Sequence, residues 1–203
     1  MTITTGSAPA TTHSALEQRL LTASLIAAPV TYLAADTTYA ARGWDDATAG
    51  ALAVVASILY GFVALRVATW LPPGSLLRIA VVIAGLIGSA GAVAYGFDSI
   101  HLSLGDTQLV DRSGAANLIK PLGLFFPLAL VLMGAAIIRL GSRAAGALVL
   151  VAGVLWPVAH IANVETLAVA VNVLLVLGFG SLAWRTPTPG SMSQGSPSSM
   201  HST

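Results

Sequence analysis

The chain alternates between long apolar runs and short polar breaks. Six runs of about 20 residues, at 20–41, 48–70, 76–97, 121–140, 144–162 and 166–184, carry few charges. Their apolar positions are continuous and do not alternate as in a half-buried strand. A helix rising about 1.5 Å per residue needs about 20 such residues to cross a hydrocarbon core of roughly 30 Å. The pattern predicts an all-α integral membrane protein, a bundle of six transmembrane helices over residues 15–185. Residues 1–14, rich in Thr, Ser and Ala, and 186–203, rich in Ser, Thr, Pro and Gly, read as disordered tails. The first run has no basic segment before it and exceeds a usual signal-peptide core, so it is expected to be a retained helix.

Six alternating crossings sort the charges. Arg19, Arg66, Arg78, Arg139, Arg143 and Arg185 fall on one side, and Arg42, Arg112 and Lys120 on the other. Basic residues collect on the cytoplasmic side, which predicts an N-in/C-in topology. Glu17 then lies inside, while Asp36, Asp45, Asp46, Asp98, Asp106, Asp111 and Glu165 lie toward the outside.

Composition supports a bilayer as the solvent. Only 8% of residues are charged and 56% are hydrophobic, too few charges to cover a water-soluble fold, which carries about 25%. The net charge of +1 suggests no nucleic-acid partner. With no cysteine, disulfides, thiolate metal sites and cysteine nucleophiles are excluded. Eight Arg against one Lys, with abundant Ala, Gly and Val, suit a GC-rich bacterial gene, and hence the cell inner membrane. Membrane lipids are the expected surroundings, with a homo-oligomer or a larger membrane complex as further partners.

Two patterns concern helix packing. Ala80, Ala84, Gly88, Ala92 and Gly96 recur every four residues, a stripe that lets backbones approach closely, and the third helix is expected at the packed centre of the bundle. The stretch AGALAVVASILYGFV (49–63) resembles AGALVLVAGVLWPVA (145–159), as an inverted repeat would; shared composition explains it equally and is the preferred reading. Arg66 and Lys120 are expected to extend to the headgroups, and Trp44, Trp70 and Trp184 to anchor the interfaces.

The chemistry-bearing residues gather at the predicted outer end. Asp98 and His101 are one turn apart after the third run, His160 and Asn163 at the end of the fifth, with Asp36 and Tyr39 late in the first and Asn172 in the sixth. Ionisable groups inside a membrane are functional candidates by default. Asp98, His101 and His160 offer the carboxylate and imidazole donors that suit Zn²⁺, although no cofactor is required. Asp36, Asp98, His101 and His160 are also the candidates for acid–base catalysis. Tyr39, Tyr95, Phe126, Trp156, Asn163 and Asn172 are candidates for lining a ligand cavity. Pro29, Pro127 and Pro157 can open room between helices. The loop 98–120 lies on the membrane surface or lids the cavity. The expected role is binding, sensing or moving a small hydrophobic or cationic molecule through an outward-facing polar cavity. Its rival is a membrane-embedded enzyme, a hydrolase or terpene-cyclase type, acting on a lipid or isoprenoid.

Overall fold

A computed structural model describes residues 14–184, which form six α-helices and no strand. They are α1 (Ala15–Arg42), α2 (Ala47–Thr69), α3 (Leu76–Ser103), α4 (Ile119–Arg139), α5 (Arg143–Ile161) and α6 (Glu165–Ala183). All six are long and apolar enough to cross a membrane, so the architecture is that of a multi-pass membrane protein. The tails expected at 1–14 and 186–203 fall outside the described residues, apart from Ser14, and so does Arg185.

Local chemistry sets the ends. Ser14, Asp46 and Ser75 cap α1, α2 and α3 by accepting from the N–H groups of Glu17, Ala49 and Arg78. The Ala49 N–H holds the Asp46 carboxyl below the usual carboxylate range, so this cap is anionic at neutral pH. Helices α3, α4 and α5 stop at left-handed residues, Gly105, Gly141 and Asn163. In each, the next N–H reaches back over the last turn: Asp106 to His101 O, Ser142 to Ile137 O and Val164 to Ala159 O. Two helices outrun the apolar pattern. α1 begins at Ala15, before Leu20, and α3 continues to Ser103, six residues past Phe97. Hydrophobicity marks the membrane-buried part of a helix, whereas its backbone bonds continue until a cap ends them.

Four of the five connections are short, 104–118 being the long one, and successive helices run antiparallel. Each packs on its neighbours in sequence, and α1 also packs on α6, which closes the bundle into a ring. No helix is central, and this corrects the expectation for α3. That helix is a wall of the ring, with Ile79, Ile83, Leu86 and Phe97 exposed on its outer face. Its small residues form seams to both neighbours. A Cβ on Gly85 would lie 2.3 Å from the Ala64 Cβ on α2, and one on Gly91 only 2.4 Å from the Leu122 carbonyl oxygen on α4. Backbone contact is the geometry that small residues permit where lipid supplies no hydrophobic drive. Of the predicted stripe, Ala84, Gly88, Ala92 and Gly96 are buried and Ala80 is partly so.

The ring's interior is filled by aromatic side chains. Tyr32, Tyr60, Phe126, Trp156 and Phe179, from five different helices, join in edge-on and stacked contacts with centroids 5.1–6.2 Å apart. At the end where α1 begins, Arg66 does not extend outward. It is 8% exposed, donates to Gln18 Oε1 and lies over the Trp70 ring at 5.5 Å, tying α2 to α1.

Substituting Gly91 by Ala should destabilise the fold by about 1–3 kcal/mol through overpacking against α4. Gly180→Ala, whose added Cβ meets nothing within 4 Å, should be neutral or slightly stabilising. Unfolding of the two variants in detergent micelles, followed by circular dichroism, checks the contrast.

Candidate functional site

One end of the ring is acidic. The C-terminal ends of α1, α3 and α5 and the N-terminal ends of α2, α4 and α6 bring together Asp36, Asp45, Asp46, Asp98, Asp106, Asp111 and Glu165, against Arg42, Arg112 and Lys120. A cavity of about 440 Å³ opens at this end. Tyr32, Asp36 and Tyr39 line it from α1, Tyr95 and Ser99 from α3, and Trp156 and His160 from α5. Trp44 forms part of the wall and packs edge-on against Tyr39 at 5.0 Å. Exposed Lys120 and Asn163 belong to the mouth.

The buried polar group at the cavity wall is Asp36, 5% exposed. It lies six residues before the end of α1, about 9 Å down the helix. Its Oδ2 accepts from Asn172 Nδ2 on α6 and meets His160 Nε2 on α5 at 3.1 Å. Asn172 also donates to the Ala168 carbonyl, and His160 Nδ1 lies 3.1 Å from the Trp156 carbonyl oxygen. The imidazole stacks on the Trp156 indole with centroids 4.0 Å apart and planes 14° from parallel. Three consecutive members of the ring, α5, α6 and α1, are thereby joined through one carboxyl oxygen. Hydrogen-bonding capacity remains: Tyr60 Oη, Trp156 Nε1 and Asn172 Oδ1 are buried without a partner. Of these three residues, Trp156 belongs to the cavity lining.

The candidates separate by role. Asp36, His160 and Asn172 converge, as do the lining residues Tyr39, Tyr95 and Trp156. Phe126 is buried in the aromatic layer beneath, stacked on Tyr32, and is not a wall residue. Asn163 lines the mouth, and its left-handed backbone (φ 53°) terminates α5.

Asp98 and His101 do not meet His160, so the expected Zn²⁺ triad of Asp98, His101 and His160 is not assembled. Among the described residues, no three His, Asp or Glu side chains come together in a way that could hold a metal. The two residues do share a helix, but Asp98 is 3% exposed and accepts from the Leu109 N–H at 2.8 Å, whereas His101 points outward, with its Nδ1 3.9 Å from Asp106. Asp98 tethers the loop 104–118, from which Gln108 and Val110 reach the cavity. Those two residues bring the loop into the cavity lining, while residues 98–103 of the expected 98–120 loop belong to α3.

Sequence reasoning missed Tyr32 and did not assign Trp44 or Lys120 to the lining. Tyr32 carried a signal, since it lies four residues before Asp36 and on the same helical face. Comparison of the chain with protein-family models, characterised proteins and solved structures finds no match.

Removing the tether should free the loop. Asp98→Ala is expected to speed amide hydrogen exchange at Leu109 by about 10–100-fold, the equivalent of roughly 1.5–3 kcal/mol for a bond to a charged acceptor. His101→Ala should leave that exchange unchanged. Exchange mass spectrometry over residues 104–118 distinguishes the two.

Proposed function

We propose that the protein binds a small amphiphilic cation in the acidic-end cavity, as a step in sensing or moving that molecule. The observation that carries this reading is the pairing of a buried carboxylate, Asp36, with a wall of aromatic rings from Tyr32, Tyr39, Trp44, Tyr95 and Trp156. Aromatic faces attract cations through their quadrupoles, most strongly when desolvated, and bury the apolar body of the same ligand. A volume of about 440 Å³ is within the range of small-molecule sites. The excess of carboxylates at this end draws cations toward the mouth. Lys120 opposes them only at the exposed rim, and Asp36 lies deeper.

The same reading gives the molecule a place and an orientation. The arginine-rich end, bearing Arg19, Arg66, Arg78, Arg139 and Arg143, faces the cytoplasm by the positive-inside rule, so both termini are inside and the cavity opens outward. The bacterial inner membrane is the setting that the composition favours.

A second reading has the Asp36–His160 hydrogen bond in its favour. A carboxyl and an imidazole in contact at an apolar cavity form an acid–base pair, and that pair would protonate or deprotonate a bound lipid or isoprenoid. Turnover of a bound substrate, lost in both Asp36→Asn and His160→Gln, would favour this enzymatic role.

Benzyltrimethylammonium and its uncharged carbon isostere neopentylbenzene separate charge recognition from apolar burial. The cation should quench the fluorescence of Trp44 and Trp156 and bind more tightly than the isostere. Tyr39→Leu should weaken it by about 2- to 30-fold, corresponding to roughly 0.5–2 kcal/mol for one cation–π contact. Asp36→Asn should reduce the preference for the cation to what the aromatic wall alone supplies. Equal affinity for the two probes would overturn the reading. Reporter tags in residues 43–46 and 140–142 should map to opposite compartments, with 140–142 inside.

A further inference from the structure

Both ring nitrogens of His160 face oxygen atoms that accept hydrogen bonds. Nδ1 faces the Trp156 carbonyl and Nε2 faces Asp36 Oδ2, each at 3.1 Å. A neutral imidazole has one N–H and one bare nitrogen. With Asp36 ionised, both bonds form only if His160 is an imidazolium. With His160 neutral and its N–H on Nδ1, the second bond forms only if Asp36 is a carboxylic acid that donates to Nε2. The two arrangements contain the same number of protons and leave the pair with no net charge. We infer that the Asp36–His160 pair holds one exchangeable proton, and that an organic cation entering the cavity displaces it. This rests on the cation-binding reading of the same site.

Charge balance gives the exchange its direction. The side chains of Asp36 and His160 are 7% and 9% exposed, and burying an unbalanced charge is costly. A cation added to the proton-loaded pair would leave the site with a net positive charge. If the proton leaves for bulk water through the mouth, the ligand's charge replaces it against the Asp36 carboxylate, and the site stays neutral. His160 then keeps one N–H and one of its two hydrogen bonds. Asn172 Nδ2 continues to donate to Asp36 Oδ2, so the carboxylate remains positioned throughout.

Neighbouring groups do not offer a competing proton near neutral pH. The phenols of Tyr32 and Tyr39 on α1 line the cavity with Asp36, Tyr60 on α2 packs against Tyr32, and Tyr95 faces the cavity from α3. Phenols are uncharged at these pH values. On α5 the remaining neighbour, Trp156, does not titrate, and α6 presents the neutral amide of Asn172, with Glu165 farther out near Tyr39. Lys120 of α4 keeps its charge at the rim.

Benzyltrimethylammonium is a suitable probe because its fixed charge carries no acidic proton, so any proton released comes from the protein. Calorimetric titration of the full chain in detergent, in buffers of different ionisation enthalpy, should show about one proton released per cation bound. By linkage, affinity should weaken as the pH falls, by no more than about tenfold per unit for a single exchanged proton. Asp36→Asn, which lacks the carboxyl that shares the proton, should bind the probe more weakly and release almost no proton at pH 7, while His101→Ala should behave as the unaltered chain. Binding without proton release, or release undiminished in Asp36→Asn, would overturn the inference and leave the binding reading standing. If the cation does not bind at all, the binding reading falls and with it the exchange. The proton-loaded pair is tested without ligand by ¹⁵N NMR of histidine-labelled protein, with His160 assigned by its loss in His160→Gln. An imidazolium at pH 7 supports the pair, as does an Nδ1–H tautomer whose bare Nε2 carries the shift of an accepted hydrogen bond; a neutral Nε2–H tautomer overturns it.

Discussion

A carboxyl group placed well inside an apolar helix has to be answered by donors from other helices, and Asp36 is answered by two. Breaking a buried ionic or hydrogen-bonded pair costs about 3–5 kcal/mol, because the group left behind is uncompensated. The contacts of Asp36 with His160 and Asn172 therefore fix more than a site. They hold α5, α6 and α1 together where the ring closes, at the α1–α6 contact between helices far apart in sequence. The Trp156 carbonyl and the Ala168 carbonyl in turn orient the two donors. Site geometry and ring closure depend on the same few polar atoms.

The rest of the bundle gives that cluster its surroundings. Tyr60, Phe126 and Phe179 are buried in the ring's interior, with Tyr60 packed edge-on against both phenylalanines. On the opposite wall, α3 contributes almost no bulk toward its neighbours, because Gly85, Gly88, Gly91 and Gly96 bring backbones together. Tyr95 is the large side chain that α3 sends into the cavity, and its ring packs where a Cβ on Gly123 would fall, 2.2 Å away. Asp98 meanwhile serves the loop, where a buried acid accepts from a backbone N–H.

The sequence made the architecture legible because a bilayer imposes a length and a polarity on every crossing. Six apolar runs returned as six helices, and the acidic residues that share one end could be listed before any coordinates. The convergence of Asp36, His160 and Asn172 was only half legible. Each stood out as polar in an apolar run, but which of them touch depends on the α1–α6 contact, and no local pattern encodes that contact. His160 was grouped with Asp98 and His101 because spacing places all three near the same surface; the direction in which Asp98 points is decided by a backbone N–H eleven residues away. The small-residue stripe on α3 correctly marked close packing, yet it carried no information on whether the helix was surrounded or flanked. Asn163 illustrates a residue whose type was noticed and whose backbone role, stopping α5, was not.

Ring closure has a consequence for connectivity. The start of α1 and the end of α6 lie on packed, antiparallel neighbours at the same end of the molecule, the end where the α2–α3 and α4–α5 turns also lie. A circularly permuted chain, joined between those two helices and reopened at residues 70–75, would keep every helix pair and the whole acidic-end cavity. The order in which the six spans are synthesised is thus separable from the arrangement they reach.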